Sequence, residues 1–292
     1  MTEISEHRVE ANGLDHAYLA CGPADGPLAL CLHGFPDSAH TWRYLLPRLA
    51  GAGFRAVAPW LRGYAPTTLD PAGRYQNGAC VADAVALHEA LGGDDRAVLI
   101  GHDWGARIAT GAAVVAPDRW RKVVTMAVPP AGVVAQGFFT YTQLHLSWYM
   151  FFFQHPLADA VVGMNDLEFI DHLWADWSPG YDATADLPLV KAALRDPANL
   201  AAAIGYYRAT LGGIGTVPEL QAEEDACAGT PPQAHLYLHG RQDGCMGADL
   251  AAGAAAFMPS PGSRAEMVEG AGHFLQLEQP EAVNALVLGF VS

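Results

Sequence analysis

The sequence predicts an α/β protein, a mostly parallel sheet flanked by helices with a helical cap inserted into it. Three observations predict this. Short apolar runs of strand length alternate with segments of helical period. One of those runs turns through glycines directly into a helix, at Leu99–Arg107, LIGHDWGAR. The alternation also stops at Pro129-Pro130 and resumes only after Pro231-Pro232.

Taken in order, strand-like stretches around Arg8–Glu10 and His16–Ala20 precede the apolar run Leu28–Leu32, which ends at His33-Gly34. The pattern then predicts a helix over Trp42–Leu49, a strand over Arg55–Pro59, a helix over Val81–Leu91, a strand over Ala97–Ile100, a helix over Ala106–Val115 and a strand over Val123–Ala127. The stretch 130–230 is aromatic-rich and mostly helical in period, broken at Pro156, Pro179, Pro188 and Pro197, and reads as the cap. Beyond it come a strand at His235–Leu238, a helix at Leu250–Phe257, a strand at Ala265–Val268 and a helix at Pro280–Val291. The core is therefore expected from 1–129 and 231–292, split in sequence and continuous in space.

The 292 residues suffice for one large domain or a core with an inserted subdomain. A formal charge of -15, from 31 acidic against 16 basic residues, disfavours nucleic acid and anionic membrane surfaces as partners. The five cysteines are scattered and lack C-x-x-C spacing, so neither a disulfide framework nor a zinc site is expected. Residues 1–13 do not resemble a secretory signal, and apolar runs long enough to span a bilayer are missing. The expectation is a cytoplasmic protein, monomer or homodimer, needing no metal or cofactor.

In the segment Gly101-His102-Asp103-Trp104-Gly105, strand, sharp turn and helix follow one another as in a nucleophile elbow, with Asp103 at the nucleophile position. A carboxylate attacking saturated carbon forms an alkyl ester, whose carbonyl carbon water can then attack. Such an ester requires a general base late in the chain and an acid to orient it. His273, in EGAGHF after the last strand, and Asp243, in LHGRQDG after the strand before it, occupy those places. Asp249 and Glu269 are rivals of Asp243. The backbone N–H groups of Phe35, in the loop His33-Gly34-Phe35-Pro36, and of Trp104 are candidate oxyanion donors.

With HGFPDS at His33–Ser38, RGYAPT at Arg62–Thr67, GHDWGA at Gly101–Ala106, the acid loop at Asp243 and GHF at Gly272–Phe274, the chain resembles the α/β-hydrolase superfamily, specifically its epoxide hydrolase branch. The resemblance spans nearly the whole chain. It implies the α/β-hydrolase fold, hydrolysis of an epoxide to a vicinal diol, and two cap tyrosines that protonate the departing oxygen. In SWYMFFFQ the first would be Tyr149; in IGYYRA the second would be Tyr207, with Tyr206 as alternative because Gly205 replaces the commoner asparagine. The aromatic segment Phe151, Phe152 and Phe153, with Phe35 and Trp104, suggests an apolar pocket for a small apolar epoxide.

Related haloalkane dehalogenases pair the tryptophan after the nucleophile with an asparagine where this chain has Phe35. Fluoroacetate dehalogenases resemble a pattern with arginine directly after the nucleophile; Trp104 stands there, although Arg107 remains. A dehalogenase is thus the alternative reading, and a non-catalytic binding module on the same scaffold a remoter one.

Overall fold

The computed structural model describes residues 3–292. Its strands are β1 (Ser5–Ala11), β2 (Leu14–Cys21), β3 (Leu28–Leu32), β4 (Arg55–Pro59), β5 (Val98–His102), β6 (Lys122–Met126), β7 (Ala234–Gly240) and β8 (Arg264–Val268). They form one sheet in the order β1-β2-β4-β3-β5-β6-β7-β8. β2 runs antiparallel to both neighbours and every later pairing is parallel. β3 and β5 are buried throughout, as their unbroken apolar runs require in a sheet covered on both faces, while β1 at the edge is largely exposed.

The helices before the end of β6 are α1 (Leu46–Gly51), α2 (Asn77–Ala90) and α3 (Trp104–Val115). Between β6 and β7 lie α4 (Ala131–Gly137), α5 (Tyr141–Leu146), α6 (Trp148–Phe152), α7 (Ala158–Val162), α8 (Glu168–Trp177), α9 (Leu187–Leu194), α10 (Pro197–Gly212) and α11 (Gln221–Ala226). The chain closes with α12 (Ala248–Ala251), α13 (Leu275–Glu278) and α14 (Pro280–Val291). The expected cap boundary at 230 places α11 in the cap, yet α11 packs against α2 and α3 beside the sheet.

Three helices differ from expectation, each for a local or long-range physical reason. The helix expected at 42–49 is a 3-10 turn, Ala39–Trp42, followed by α1, because Pro47 lacks an N–H and is accommodated only in a first turn. The helix expected at 250–257 is divided into α12 and a 3-10 turn, Ala254–Phe257, on either side of the Ala252-Gly253 junction. α2 begins four residues early, since the Glu224 carboxylate of α11 accepts the Gly78 N–H at 2.7 Å and the Asn77 side chain at 3.1 Å. That distant carboxylate satisfies a first-turn donor that a local side chain would otherwise have to cap.

The helical insertion is bound to the sheet by directed bonds. The Tyr206 hydroxyl donates to the Arg62 carbonyl at 2.8 Å, Asn199 Nδ2 to the Gly63 carbonyl at 2.8 Å, and Trp174 Nε1 to the Pro36 carbonyl at 2.8 Å. Trp174 also stacks on Phe274 with ring centroids 3.6 Å apart. Beneath Tyr206, the fully buried Arg62 guanidinium pairs with Asp70 and Asp83, each at 2.7 Å. The carbonyl ends of β3, β5, β7 and β8 open toward the insertion, and the loops leaving them carry Phe35, Asp103, Asp243 and His273.

Candidate active site

Asp103 sits between β5 and α3 with φ 53° and ψ -120°, a backbone conformation that L residues seldom adopt. The turn is tight enough that a Cβ on Gly105 would stand 2.1 Å from the Leu32 carbonyl oxygen, so the elbow can pack on β3 only with glycine there. Gly34 is similarly confined: a Cβ on it would meet Asp103 Oδ1 at 2.2 Å. This close approach lets the Phe35 N–H donate to Asp103 Oδ1 at 2.8 Å, and the Trp104 N–H also stabilises the carboxylate. His33 holds the same loop, its Nδ1 at 2.9 Å from the Gly34 carbonyl and its Nε2 accepting the Leu61 N–H at 3.0 Å. The Phe35-Pro36 peptide is cis.

Asp103 Oδ2, the oxygen not bonded to Phe35, lies 3.7 Å from His273 Nε2. His273 Nδ1 lies 3.0 Å from Asp243 Oδ2, while Asp243 Oδ1 accepts the N–H groups of Cys245 at 2.7 Å and Met246 at 2.9 Å. Asp103, Asp243 and His273 are all buried. Burial pushes the Asp103 carboxyl up, against the pull of His273 and the two backbone N–H groups. For Asp243 burial acts upward too, but His273 and the N–H donors outweigh it and hold the group below the usual carboxylate range. His273 is the converse: burial pushes it down, and the carboxylates of Asp243 and Asp103 raise it above the ordinary imidazole value.

Asp243, Cys245 and His273 offer ligand atoms within 4.8 Å of one another. The Asp243 oxygens are occupied by two N–H groups and the imidazole, and burial drives the Cys245 thiol pKa well up, so the donor set reads as a hydrogen-bonded relay. Asp249 and Glu269 take no part: Glu269 pairs with Arg241 at the surface, and Asp249 lies on α12.

A cavity of about 60 Å³ covers Asp103 and is lined by Trp104, Arg107, Val128, Val134, Phe138, Tyr149, Met150, Tyr207, Thr210, Cys245 and Met246. Tyr149 and Tyr207 meet edge to face, ring centroids 5.6 Å apart. The Tyr149 hydroxyl lies 3.3 Å from Cys245 Sγ, and the buried Tyr207 hydroxyl has no protein hydrogen-bond partner. Burial raises both phenols well above their ordinary pKa. Tyr206, the alternative, donates its hydroxyl to the Arg62 carbonyl and does not line the cavity.

The expected pocket residues divide. Trp104 lines the cavity. Phe35 and Phe153 lie behind its wall, packed edge to face against Tyr207 at 5.3 Å and 5.0 Å. Phe152 stacks on Phe169, and Phe151 is 45% exposed. Successive positions on the one-turn helix α6 point about 100° apart, so a run of three phenylalanines cannot all face one pocket. The lining comes from α3, the loop after β6, α4, α6, α10 and the loop after Asp243, elements whose convergence only long-range packing produces.

Sequence reasoning also missed the residues that hold the relay. The Trp177 carbonyl, ending α8, accepts the N–H groups of both Gly244 and His273 at 3.0 Å. Glu278 accepts the Gly272 N–H at 2.8 Å and the Ser178 hydroxyl at 2.6 Å. His102 reaches the His273 carbonyl at 2.8 Å. No local pattern distinguishes these from ordinary polar residues.

Sheet, elbow and covering helices together define an α/β hydrolase. Residues 27–150 match the family described as alpha/beta hydrolase fold. Over 294 aligned residues the chain is 30% identical to Epoxide hydrolase 4 of Homo sapiens, covering 97% of this chain and 77% of that one. It is 28% identical to Epoxide hydrolase A of Mycobacterium tuberculosis, covering 99% and 97% respectively. The crystal structure of Epoxide Hydrolase A from Mycobacterium thermoresistibile superposes with a TM-score of 0.81 at 25% identity, over 99% of this chain and 98% of that one. The chain belongs to the epoxide hydrolase family. Among the described residues no helix is long and apolar enough to cross a membrane.

Proposed function

We propose that the chain adds water to an epoxide, giving a vicinal diol by way of an ester on Asp103. The observation that carries this reading is the division of labour between the two Asp103 oxygens. Oδ1 is bonded by the Phe35 N–H, whereas Oδ2 has no such bond and lies 3.7 Å from His273 Nε2. Oδ2 is then the attacking atom, and Oδ1 becomes the ester carbonyl, already seated among the donors that stabilise its later negative charge.

In the first step Oδ2 bonds to a ring carbon as that carbon's bond to the ring oxygen breaks. The oxygen takes a proton from Tyr149 or Tyr207. Their hydroxyls serve as donors because burial keeps them un-ionised. In the second step His273 Nε2 removes a proton from water as the water oxygen bonds to the Asp103 carbonyl carbon. The 3.7 Å separation from Oδ2 leaves Nε2 unbonded to the carboxylate and open to that water. Collapse breaks the bond from that carbon to the diol oxygen, which takes the proton from His273. The proton of the new carboxyl returns to the phenolate. One epoxide and one water have become one diol.

The test is a single turnover in water enriched in heavy oxygen, with the diol and the intact protein weighed separately. The proposal expects the heavy oxygen in Asp103 after the first turnover and an unlabelled diol. Label entering the diol directly would overturn the ester, and halide release from haloalkanes without diol formation from epoxides would favour the dehalogenase alternative.

A further inference from the structure

Among the described residues, Arg107 is the single lysine or arginine whose side chain makes neither a hydrogen bond nor an ion pair. It is also the cation that lines the cavity over Asp103. Its guanidinium lies 5.9 Å from the centroid of the Trp104 ring, and its Nε is buried without a partner. A smaller recess of about 20 Å³, reaching to Thr110 and His235, adjoins its other side. In a chain of net charge -15, where every other cation is bonded, a half-buried guanidinium with its donors unused faces the reacting carboxylate's cavity.

We propose that Arg107 binds a carboxylate carried by the substrate, so that the site takes a short epoxy carboxylate; this rests on the epoxide reading above. Three features carry the assignment. Guanidinium donors left unmatched in a partly buried place are costly, and a planar carboxylate is the group that matches their geometry. Arg107, on the first turn of α3, and Asp103, immediately before that helix, line the same small cavity, so a carboxylate one or two bonds from the oxirane ring can meet the guanidinium while a ring carbon meets Oδ2. The cavity of about 60 Å³ holds roughly four to six water-sized groups, enough for an oxirane bearing one carboxylate. The apolar walls, Val128, Val134 and Phe138, then enclose the carbon skeleton, and Arg107 offsets the repulsion between an anionic substrate and Asp103. On this proposal the small apolar epoxide expected from the sequence carries, in addition, an anionic end.

The experiment compares oxirane-2-carboxylate with oxirane-2-carboxamide, which share a shape and differ in charge, on the wild type, Arg107→Met and Arg107→Lys. The expected result is a carboxylate-to-carboxamide ratio of kcat/KM that falls about 10- to 100-fold in Arg107→Met, chiefly through KM, and is partly restored in Arg107→Lys. Binding of propanoate, measured calorimetrically, should be lost in Arg107→Met and retained in the wild type. If both epoxides are hydrolysed and the ratio does not move, Arg107 is not a carboxylate site and the epoxide reading stands. If neither is hydrolysed yet propanoate binds only when position 107 is cationic, the carboxylate site stands and the epoxide reading fails. Absence of both turnover and propanoate binding overturns the proposal.

Discussion

His102 Nε2 lies 2.8 Å from the main-chain carbonyl oxygen of His273, linking the residue before the elbow aspartate to the backbone of the residue that would activate water. A carbonyl can only accept, so this nitrogen carries the hydrogen. Burial holds His102 well below the ordinary imidazole pKa, keeping it neutral with one donor nitrogen. Replacement by phenylalanine preserves the ring and removes the bond. We expect His102→Phe to remain folded and to lose activity by about 10- to 100-fold, because a shift of about 1 Å at a reacting group has effects of that size. Partial recovery in His102→Gln would identify the bond as the cause; equal activity in all three proteins would remove His102 from the positioning of His273.

The raised pKa of His273 sets the direction of the pH dependence. Only the neutral imidazole takes a proton from water, so activity is lost as pH falls through the His273 value, which stands above the ordinary 6.5. In Asp243→Asn the main raising partner is gone and burial dominates. The acid limb of ester hydrolysis should then move to lower pH while the rate falls, by about three to four orders of magnitude. A pH profile of single-turnover ester breakdown checks both, and an unmoved limb would contradict the relay.

Both tyrosines line the cavity over Asp103, so on the proposed mechanism each should partly cover for the other. We expect Tyr149→Phe and Tyr207→Phe to slow ester formation, each by about 10- to 100-fold, and the double variant to lose about the full 10²–10⁴ of a general acid. Tyr206→Phe should leave ester formation largely unchanged and instead lower stability by about 1 kcal/mol through its lost bond to the Arg62 carbonyl. Stopped-flow kinetics and thermal denaturation separate the two roles.

Gly34→Ala places a methyl 2.2 Å from Asp103 Oδ1, so the Phe35 N–H and the carboxylate oxygen must separate. The expected outcome is a loss of about 10²–10³ in turnover, as for the removal of one oxyanion donor, in a protein that still folds. Near wild-type turnover would mean the loop does not supply that donor.

Arg62→Met leaves the carboxylates of Asp70 and Asp83 buried without their shared cation, and should destabilise the fold by about 3–5 kcal/mol in chemical denaturation. Burial raises Asp70, but Arg74, backbone N–H groups and Arg62 outweigh it and bring the carboxyl down to about 2. Its folded value is thus below the ordinary 3.8, so its contribution is fully present above that value and lost as pH falls toward 2. The wild type should therefore lose stability over that interval, and Asp70→Asn should lose less.

Much of this molecule is written in local signals. The apolar runs of β3 and β4 coincide with their strands because a buried parallel strand needs apolar side chains on both faces, a property of the segment alone. Asp103 is legible for a related reason: glycines two residues to either side, at 101 and 105, are what a tight strand-to-helix turn requires. Asp243 and His273 are legible because chain order and strand ends locate them on one edge of the sheet. The choice between Tyr206 and Tyr207, the separation of Phe151 from Phe153, the capping of α2 by Glu224 and the isolation of Arg107 belong to tertiary structure. Adjacent residues on a helix differ by a rotation of about 100°, which the sequence records, but which neighbour each then meets depends on elements as far as 146 residues away. Composition and periodicity say that a side chain will be buried; only the assembled fold decides whether it packs, pairs, or is left with its donors open toward a cavity.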